Sequence, residues 1–323
     1  MTHTAPLFNL RTLALFLTVL MIAENGVSKA QASEPGFVQG LVNQFEQSDI
    51  VFQRSSSTVP FPPIAFLGAR SYADAEVESG RGDALKYDID TVSQAAGLPI
   101  LVTQKDALII GEYLSWSDFD IKNEGTDSFD VVTVGLPLAW LRQQSDDWQL
   151  AAFVMPMGHH SSKDNSDWTW QYLGGAFARY VQNDRLWWAM GLYADIAPGD
   201  NFYIPYVGAS WSINDHWTLS AIMPWPGISY APNQNWLFRL GASPSGASWA
   251  IDEEQGETVT NFDAWDFGLS AEKRLDGNFW GSVEAGVGGL RGLRFSGSSV
   301  DTPDLDVSSS WYLSIDLKYR PAL

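Results

Sequence analysis

The sequence of 323 residues has a formal net charge of −19, contains no cysteine and is 13% aromatic. So acidic a chain lacks the clustered lysine and arginine that nucleic-acid binding requires, and nucleic acid is excluded as a partner. The absence of cysteine excludes disulfides and thiolate metal sites, and we predict no cofactor and no metal site.

The first predicted element is a secretory signal peptide over residues 1–32. Arg11 precedes an apolar run from Thr12 to Ala23, and the small-residue sequence Ala30-Gln31-Ala32 follows. This order of charged, apolar and small-residue regions is typical of a cleaved signal, and the apolar run is too short to cross a bilayer as a helix. No later segment is apolar for long enough, so an exported chain without helical spans is expected.

Residues 33–63 form a second segment with a different pattern. Apolar residues at helical spacing predict a short amphipathic helix over 36–48. These residues are Phe37, Val38, Leu41, Val42 and Phe45. A stretch rich in serine and proline follows at 55–63 and cannot continue the helix. Two interpretations remain open: a periplasmic lead-in, or a plug that enters the domain formed by the rest of the chain.

From residue 64 to residue 323, apolar and polar residues alternate. The pattern is clearest in the last strand, where one face carries Trp311, Leu313, Ile315, Leu317 and Tyr319. Period-2 segments predict β-strands, and lengths of about 10–14 residues suit tilted strands that cross a bilayer. The prediction is an all-β fold, a closed antiparallel transmembrane β-barrel in the outer membrane of a Gram-negative bacterium.

Six turn-rich breaks divide the alternating region. They lie at 104–106, 145–147, 183–185, 214–216, 244–246 and 276–278. Outer-membrane barrels keep short turns on the periplasmic side and longer loops outside, so each break joins the strands of one hairpin. Counting in this way predicts fourteen strands, or twelve if 247–254 and one neighbour are not strands.

Two stretches are predicted as outer loops and matter later. The first is 227–234. The second is 255–260, which overlaps the acidic stretch 252–257. That stretch is either a solvated loop or a divalent-cation bridge to lipopolysaccharide.

Two phrases repeat along the chain: Trp148-Gln149-Leu150 with Met155-Pro156, and Trp217-Thr218-Leu219 with Met223-Pro224. With the Gly-Ala-Ser sequence at 241–243, they resemble an uncharacterised, domain-of-unknown-function family of outer-membrane barrels. The aromatic last strand also resembles the assembly signal of bacterial barrels, although the chain continues for four residues after Tyr319. The resemblance implies a barrel that is inserted by the barrel-assembly machinery and surrounded by outer-membrane lipid and lipopolysaccharide. It implies no substrate.

One local cluster has the residue types of a lipid hydrolase. Extending the register of 148–158 places His160 on the lipid-facing side, and Ser162 follows on the same face. A histidine that activates a serine is the minimal unit of nucleophilic ester hydrolysis. The pair resembles the His-x-Ser pair of the outer-membrane phospholipase and lipid A deacylase barrels. The Lys-Asp-Asn sequence at 163–165 departs from the phospholipase pattern, and no orienting third residue is identified.

Charged residues on the other face of the strands are predicted to line the lumen. They either pair as the polar lining that any barrel interior needs, or select solutes by charge. The predicted lining residues are Asp88, Asp90, Arg179, Asp195, Arg239, Asp266, Glu272, Glu284, Asp316 and Lys318. Large inward residues are predicted to narrow the lumen, namely Phe177, Trp187, Tyr193 and Trp280.

The leading hypothesis for function is a porin-like or uptake channel for a small solute. The alternatives are a lipid hydrolase built on His160 and Ser162, and a structural or adhesive barrel without a conducting lumen.

Overall fold

The computed structural model describes most of the chain from residue 57 onward. The described residues are 40, 44–45, 47–50, 57–78, 84–122, 128–163, 166–197, 200–223, 225–253, 256–297 and 305–320. The predicted signal peptide and most of the predicted helix at 36–48 lie outside them, although Gln44 and Phe45 are helical. Within the described ranges, no helix is long and apolar enough to span a membrane.

Sixteen antiparallel strand segments make up the described fold. They are β1 (Ala65–Glu78), β2 (Ala84–Val102), β3 (Asp106–Ile121), β4 (Phe129–Gly135), β5 (Leu138–Gln143), β6 (Trp148–Ser161), β7 (Thr169–Asn183), β8 (Leu186–Ala197), β9 (Asp200–Ser212), β10 (Trp217–Met223), β11 (Gly227–Asn233), β12 (Trp236–Glu253), β13 (Gly256–Asp276), β14 (Phe279–Gly297), β15 (Leu305–Val307) and β16 (Ser310–Tyr319). Neighbouring segments are hydrogen-bonded in one sheet, and β1 pairs with β16. The sheet therefore closes on itself.

Two of the barrel strands are interrupted, so the sixteen segments occupy fourteen positions. The segments β4 and β5 both pair with β3 and β6, and they are separated by Leu136 and Pro137. Proline has no backbone N–H to donate to a ladder, which accounts for this break. The segments β15 and β16 likewise both pair with β1 and β14. The predicted closed, antiparallel, fourteen-stranded barrel is confirmed.

Five of the six predicted turns join neighbouring strands. They lie at 103–105, 144–147, 184–185, 213–216 and 277–278. The sixth prediction is wrong, because Pro244, Ser245 and Gly246 pair with β13 inside β12. The ladder between β11 and β12 ends at Gly241, so this part of β12 pairs only with β13. A strand edge of this kind tolerates a proline.

The missing turn lies at Gln234 and Asn235, between β11 and β12. Most of the stretch 227–234, predicted as an outer loop, is therefore the strand β11. The two errors offset each other, so the strand count is right although one hairpin is displaced.

The outer face carries an apolar band between two rings of aromatic side chains. The ring near the tight turns, called the turn-side ring, contains Trp140, Trp148, Trp188, Trp211 and Trp217. The ring at the other end, called the loop-side ring, contains Trp116, Trp170, Tyr172, Tyr203 and Trp311. The band between them includes Val134, Val154, Leu192, Val207 and Leu313, which are 43–55% exposed. Such girdles are typical of barrels in a membrane.

The inner face near the tight turns is held by buried ion pairs. Lys318 Nζ lies 2.8 Å from Glu272 Oε1, and Arg320 Nη2 lies 2.6 Å from Glu272 Oε2. The three side chains are between 5% and 16% exposed. Two cations therefore share the Glu272 carboxylate, and Lys318 has a second, longer contact of 3.8 Å with Asp316 Oδ2.

We expect the Glu272→Ala variant to lose about 3–5 kcal/mol of unfolding free energy, because removing one partner leaves buried charge uncompensated. The measurement is urea unfolding of the refolded barrel in micelles, followed by tryptophan fluorescence. The matched control is Glu76→Ala, whose partner Lys86 lies 2.7 Å away with 62% of its side chain exposed. An exposed pair contributes at most about 1 kcal/mol, so equal losses in the two variants would contradict this reading of the interior.

Candidate functional site in the barrel lumen

One side of the inner wall, formed by β1, β13, β14 and β16, is called here the ionic face. Arg70 Nη1 lies 2.7 Å from Asp266 Oδ2, and Arg70 Nη2 lies 3.6 Å from Glu284 Oε1. The Tyr72 hydroxyl donates to Asp266, and the Tyr312 hydroxyl donates to Glu284, each at 2.5 Å. Both carboxylates are therefore bound by side chains from other strands.

This network requires a residue without a side chain at position 268. A Cβ atom on Gly268 would lie 2.0 Å from Tyr312 Oη and 2.8 Å from Glu284 Oε1. Glycine is thus the residue that leaves room over β13 for the Tyr312 hydroxyl and its acceptor.

About half-way round the barrel, strands β6 to β9 form a second side, the aromatic face. The ring of Phe177 lies 5.8 Å from that of Phe153 and 4.4 Å from that of Tyr206, centroid to centroid. Trp225, in the connection between β10 and β11, lies 5.7 Å from Tyr193 and 5.9 Å from Tyr206. Because Tyr193 and Tyr206 share the inner register, Trp225 folds into the lumen.

Arg179 places a cation beside the aromatic face. Its Nη1 donates to Gln149 Oε1 at 3.0 Å, and its guanidinium lies over the Trp187 ring, 4.3 Å from the centroid. Gln149 is fully buried and also binds Gln143 at 3.1 Å. Among the residues that the structure describes, Arg179 forms no ion pair, in contrast to the cations of the ionic face.

A chain of hydrogen bonds crosses four strands near the loop-side ring. Thr133 Oγ1 lies 2.8 Å from His159 Nδ1, and His159 Nε2 lies 3.0 Å from Gln171 Oε1. Gln171 Nε2 donates to Asp195 Oδ1 at 2.7 Å. Because Gln171 Oε1 is an acceptor, His159 Nε2 donates, and the Nδ1 of a neutral ring accepts from Thr133. The alternation of 148–158 already assigns His159 to the inner face, but its partners are not readable from the sequence.

Described residues of the N-terminal segment contact the turn-side mouth of the barrel. Asp49 and Gln104 are joined by a backbone hydrogen bond of 2.9 Å and a side-chain hydrogen bond of 2.7 Å. Ile50, the next residue, is 1% exposed. This end of the segment is therefore attached to the turn between β2 and β3.

A second attachment lies at β11. Thr58 Oγ1 donates to the Ala231 carbonyl at 2.7 Å. Val59 packs against a buried apolar cluster formed by Ala231, Leu237 and Trp280. The segment thus contacts different sides of the same mouth.

Eight of the ten predicted lining residues lie on the inner face. They are Arg179, Asp195, Arg239, Asp266, Glu272, Glu284, Asp316 and Lys318. Asp88 and Asp90 lie on the outer face instead, since they pair with Asp120 and Asp118, in register with Trp116. The strand β2 has 19 residues, and its N-terminal end extends past the loop-side ring. Both faces of the strand contact water there, so polar side chains no longer indicate the inner face.

These outward aspartates form part of an acidic surface at the loop side. Lys122, just after β3, lies 2.9 Å from Asp88 Oδ2 and 2.6 Å from Asp120 Oδ2. Its hydrogen bonds to Asp120 and Asp88 raise the pKa of Lys122. The acidic stretch 252–257 spans the end of β12 and the start of β13, and its side chains lie outside what the structure describes.

His160 and Ser162 lie at the loop-side end of β6. The His160 ring contacts the Trp168 ring, with centroids 5.4 Å apart. Ser162 Oγ accepts a hydrogen bond of 2.8 Å from the backbone N–H of Asp130. Within the described ranges, no hydrogen bond joins His160 to Ser162, and their catalytic role stays a prediction.

Solved structures similar to this chain are other barrels with little sequence in common. The toluene transporter TodX of Pseudomonas putida is 8% identical, with 80% of this chain and 90% of that chain covered and a TM-score of 0.39. A FadL homologue of Pseudomonas aeruginosa is 10% identical over 79% of this chain and 89% of its own, with a TM-score of 0.41. The translocator domain of the autotransporter NalP of Neisseria meningitidis is 10% identical over 96% and 99%, with a TM-score of 0.38. Likeness at this level carries no argument about function.

No curated protein matches the sequence significantly. A family profile does match, over residues 65–320, and it covers the whole barrel described above. The resemblance drawn from the sequence is confirmed. The chain belongs to the family called domain of unknown function DUF6268.

Proposed function

We propose that the protein is an outer-membrane channel for small solutes that combine an aromatic or apolar body with an anionic group. The observation that carries this proposal is the position of Arg179 beside the aromatic face, without an ion-pair partner among the described residues.

The outer face supports a membrane location. On β3, Trp116 of the loop-side ring lies eight residues from Leu108, which pairs with Trp140 of the turn-side ring. At 3.3 Å per residue they are about 26 Å apart along the strand, or about 20 Å along the normal for a tilt of about 40°. The apolar band of a transmembrane barrel is about 25 Å tall, so the two rings have a suitable separation.

The pairing of charges on the inner wall supports an anionic solute. Four carboxylates of the ionic face lie beside cations: Asp266 and Glu284 beside Arg70, Glu272 beside Lys318 and Arg320, and Asp316 3.8 Å from Lys318. These paired charges stabilise the wall. Because each charge is largely neutralised by its partner, the pairs exert little electrostatic attraction on a solute. The guanidinium of Arg179 is bound to a neutral amide and a ring, so its charge remains available to an anion.

The rings beside Arg179 support an aromatic or apolar body. Apolar pockets with a few placed polar groups are the usual form of small-molecule sites, and aromatic side chains stack on planar ligands. Phe153, Phe177, Tyr193 and Tyr206 supply the rings, and Arg179 supplies the polar group.

Two features support a narrow passage. Trp225 contacts inward rings across the space above the short strands β10 and β11. The Cα atoms of β12 come within 8 Å of those of β6 and β7, which are separated from β12 along the wall by five and four other strands, respectively. Distant parts of the wall therefore approach each other.

The N-terminal segment supports a second restriction at the turn side. Besides the contacts of Thr58 and Val59, Arg320 Nη1 donates to the Phe61 carbonyl at 2.5 Å. Described residues of the segment thus contact the mouth at the β2–β3 turn, at β11 and at the end of β16. These contacts favour the plug over the periplasmic lead-in.

The Arg179→Gln variant tests the proposed selectivity. We expect the refolded wild-type chain in planar bilayers to prefer benzenesulfonate over methanesulfonate in bi-ionic reversal potentials, although benzenesulfonate is larger. Loss of one cation beside aromatic rings is expected to reduce this preference about three- to tenfold. The matched control is Arg239→Gln, which removes an inward cation of β12. Equal effects of the two variants, or no conductance in any form, would overturn the proposal.

The Trp225→Ala variant tests the restriction near the loop side. Removing the indole opens space between β9 and β11, so we expect a higher single-channel conductance in planar bilayers. Trp211→Ala, which removes an outward indole of the turn-side ring, is the control and leaves conductance unchanged. A conductance that does not rise in Trp225→Ala would place the narrowest point elsewhere.

Deletion of residues 33–63 tests the plug. We expect more frequent or larger openings, because the contacts of Thr58, Val59 and Phe61 at the mouth are lost. The control is Thr58→Val, which keeps the segment but removes its hydroxyl bond to Ala231, and is expected to give an intermediate effect. Identical recordings from all three forms would identify the segment as a lead-in.

A further inference from the structure

The outer face of β2 and β3 carries a polar pair inside the apolar band. Gln94 pairs across the ladder with Leu114, and Glu112 pairs with Ala96. Leu114 is 39% exposed and follows the outward register of Trp116 and Val134. Side chains alternate along a strand, so Gln94 and Glu112 also point outward.

The depth of the pair makes it unusual. Leu108 pairs with Trp140, which belongs to the turn-side ring, and Trp116 belongs to the loop-side ring. Glu112 lies four positions from each along β3 and is therefore about midway between the rings. Ionisable side chains at this depth are costly on the lipid side and are rare unless they have a partner.

Within one barrel the pair satisfies only part of its own hydrogen bonding. Gln94 Nε2 donates to Glu112 Oε2 at 3.1 Å. Gln94 Oε1 is buried and accepts no hydrogen bond among the described residues. The second N–H of Gln94 Nε2 and the half-buried Glu112 carboxylate remain, and lipid chains supply neither donors nor acceptors to them.

The neighbouring outer surface mixes large and small residues, since Gln94 pairs with Leu67 and Leu114, whereas Ala96, beside Glu112, pairs with Ala65. Ala69 and Ser71 of β1 are exposed on the outer face beside β2, whereas the next strand, β16, presents Leu313 and Ile315. Small residues let two membrane surfaces approach closely enough for side-chain hydrogen bonds. We name this surface the β1–β3 face and define it by Ala69, Ser71, Gln94, Ala96 and Glu112.

We propose that the β1–β3 face binds the same face of a second copy of this chain, giving a dimer in the membrane. In a twofold interface each residue meets its counterpart at the same depth, and contacts between different residues occur twice. An amide beside a carboxyl is self-complementary under this symmetry, because Gln94 of each copy can donate to Glu112 of the other. The proposal is independent of solute passage, since each barrel keeps its own lumen.

Cysteine cross-linking of the full chain in native membranes tests the interface. We expect oxidation to give a disulfide-linked dimer with Ala96→Cys or Ala69→Cys, and none with Val207→Cys or Leu219→Cys on other parts of the apolar band. Cross-linking that is equal at all four positions, or a product whose mass differs from twice the chain, overturns the proposal.

Removal of the polar pair tests whether Gln94 and Glu112 cause dimerisation. We expect the purified wild type to have the mass of a dimer by light scattering in micelles, and Gln94→Leu/Glu112→Leu to have that of a monomer. Heat-modifiable gel migration checks that the variant barrel is folded. The control is Gln182→Leu, which removes an exposed glutamine beside Trp188 and keeps the dimer. A monomeric wild type, or a folded double variant that stays dimeric, overturns the proposal.

Discussion

The structure depends on the closure of one hydrogen-bonded ladder between the first and last strands. In a bilayer no water is available to backbone N–H and C=O groups, so a sheet persists there only if it has no open edge. The pairing of β1 with β16 removes the edge, and it extends from Ala65 opposite Tyr319 to Ala73 opposite Trp311. Closure also fixes which alternate residues face the lumen, so every other feature of the protein is a consequence of this register.

The ionic face is best understood as reinforcement of that closure. Arg70 lies on the first strand, whereas its acceptors lie on β13 and β14, so the bonds to Asp266 and Glu284 cross the seam where the chain ends meet. The contacts of Lys318 and Arg320 with Glu272 do not cross the seam but tie the end of the last strand to β13, across β14. The pairing of these charges fits one of the two roles that the sequence leaves open for the interior, a paired polar lining, and our proposed solute is left the opposite, aromatic side of the wall.

The sequence predicts what depends on neighbours in the chain and misses what depends on the closed barrel. Alternation in 148–158 assigns His159 and His160 to opposite faces, and five turns are placed correctly because their polar residues are local signals. Pro244 is wrongly predicted to lie in a turn. A proline fits at this place in β12 because the partner strand β11 has already ended, which no local pattern shows. The bond between Arg70 and Asp266 joins residues 196 positions apart, which no local pattern encodes.

Two departures from the general pattern are only partly compensated within the described barrel, and they are the informative ones. On the inner face, Arg179 is a cation that contacts a ring and an amide, whereas the cations of the ionic face are paired with carboxylates. Outside, Glu112 and Gln94 are polar where their neighbours on the outer face are apolar. A sequence that satisfies its local rules almost everywhere breaks them at functional positions, because stability alone does not retain such residues. The inner departure is explained by a solute in the lumen and the outer one by a second barrel, since each partner supplies the groups that the single chain lacks.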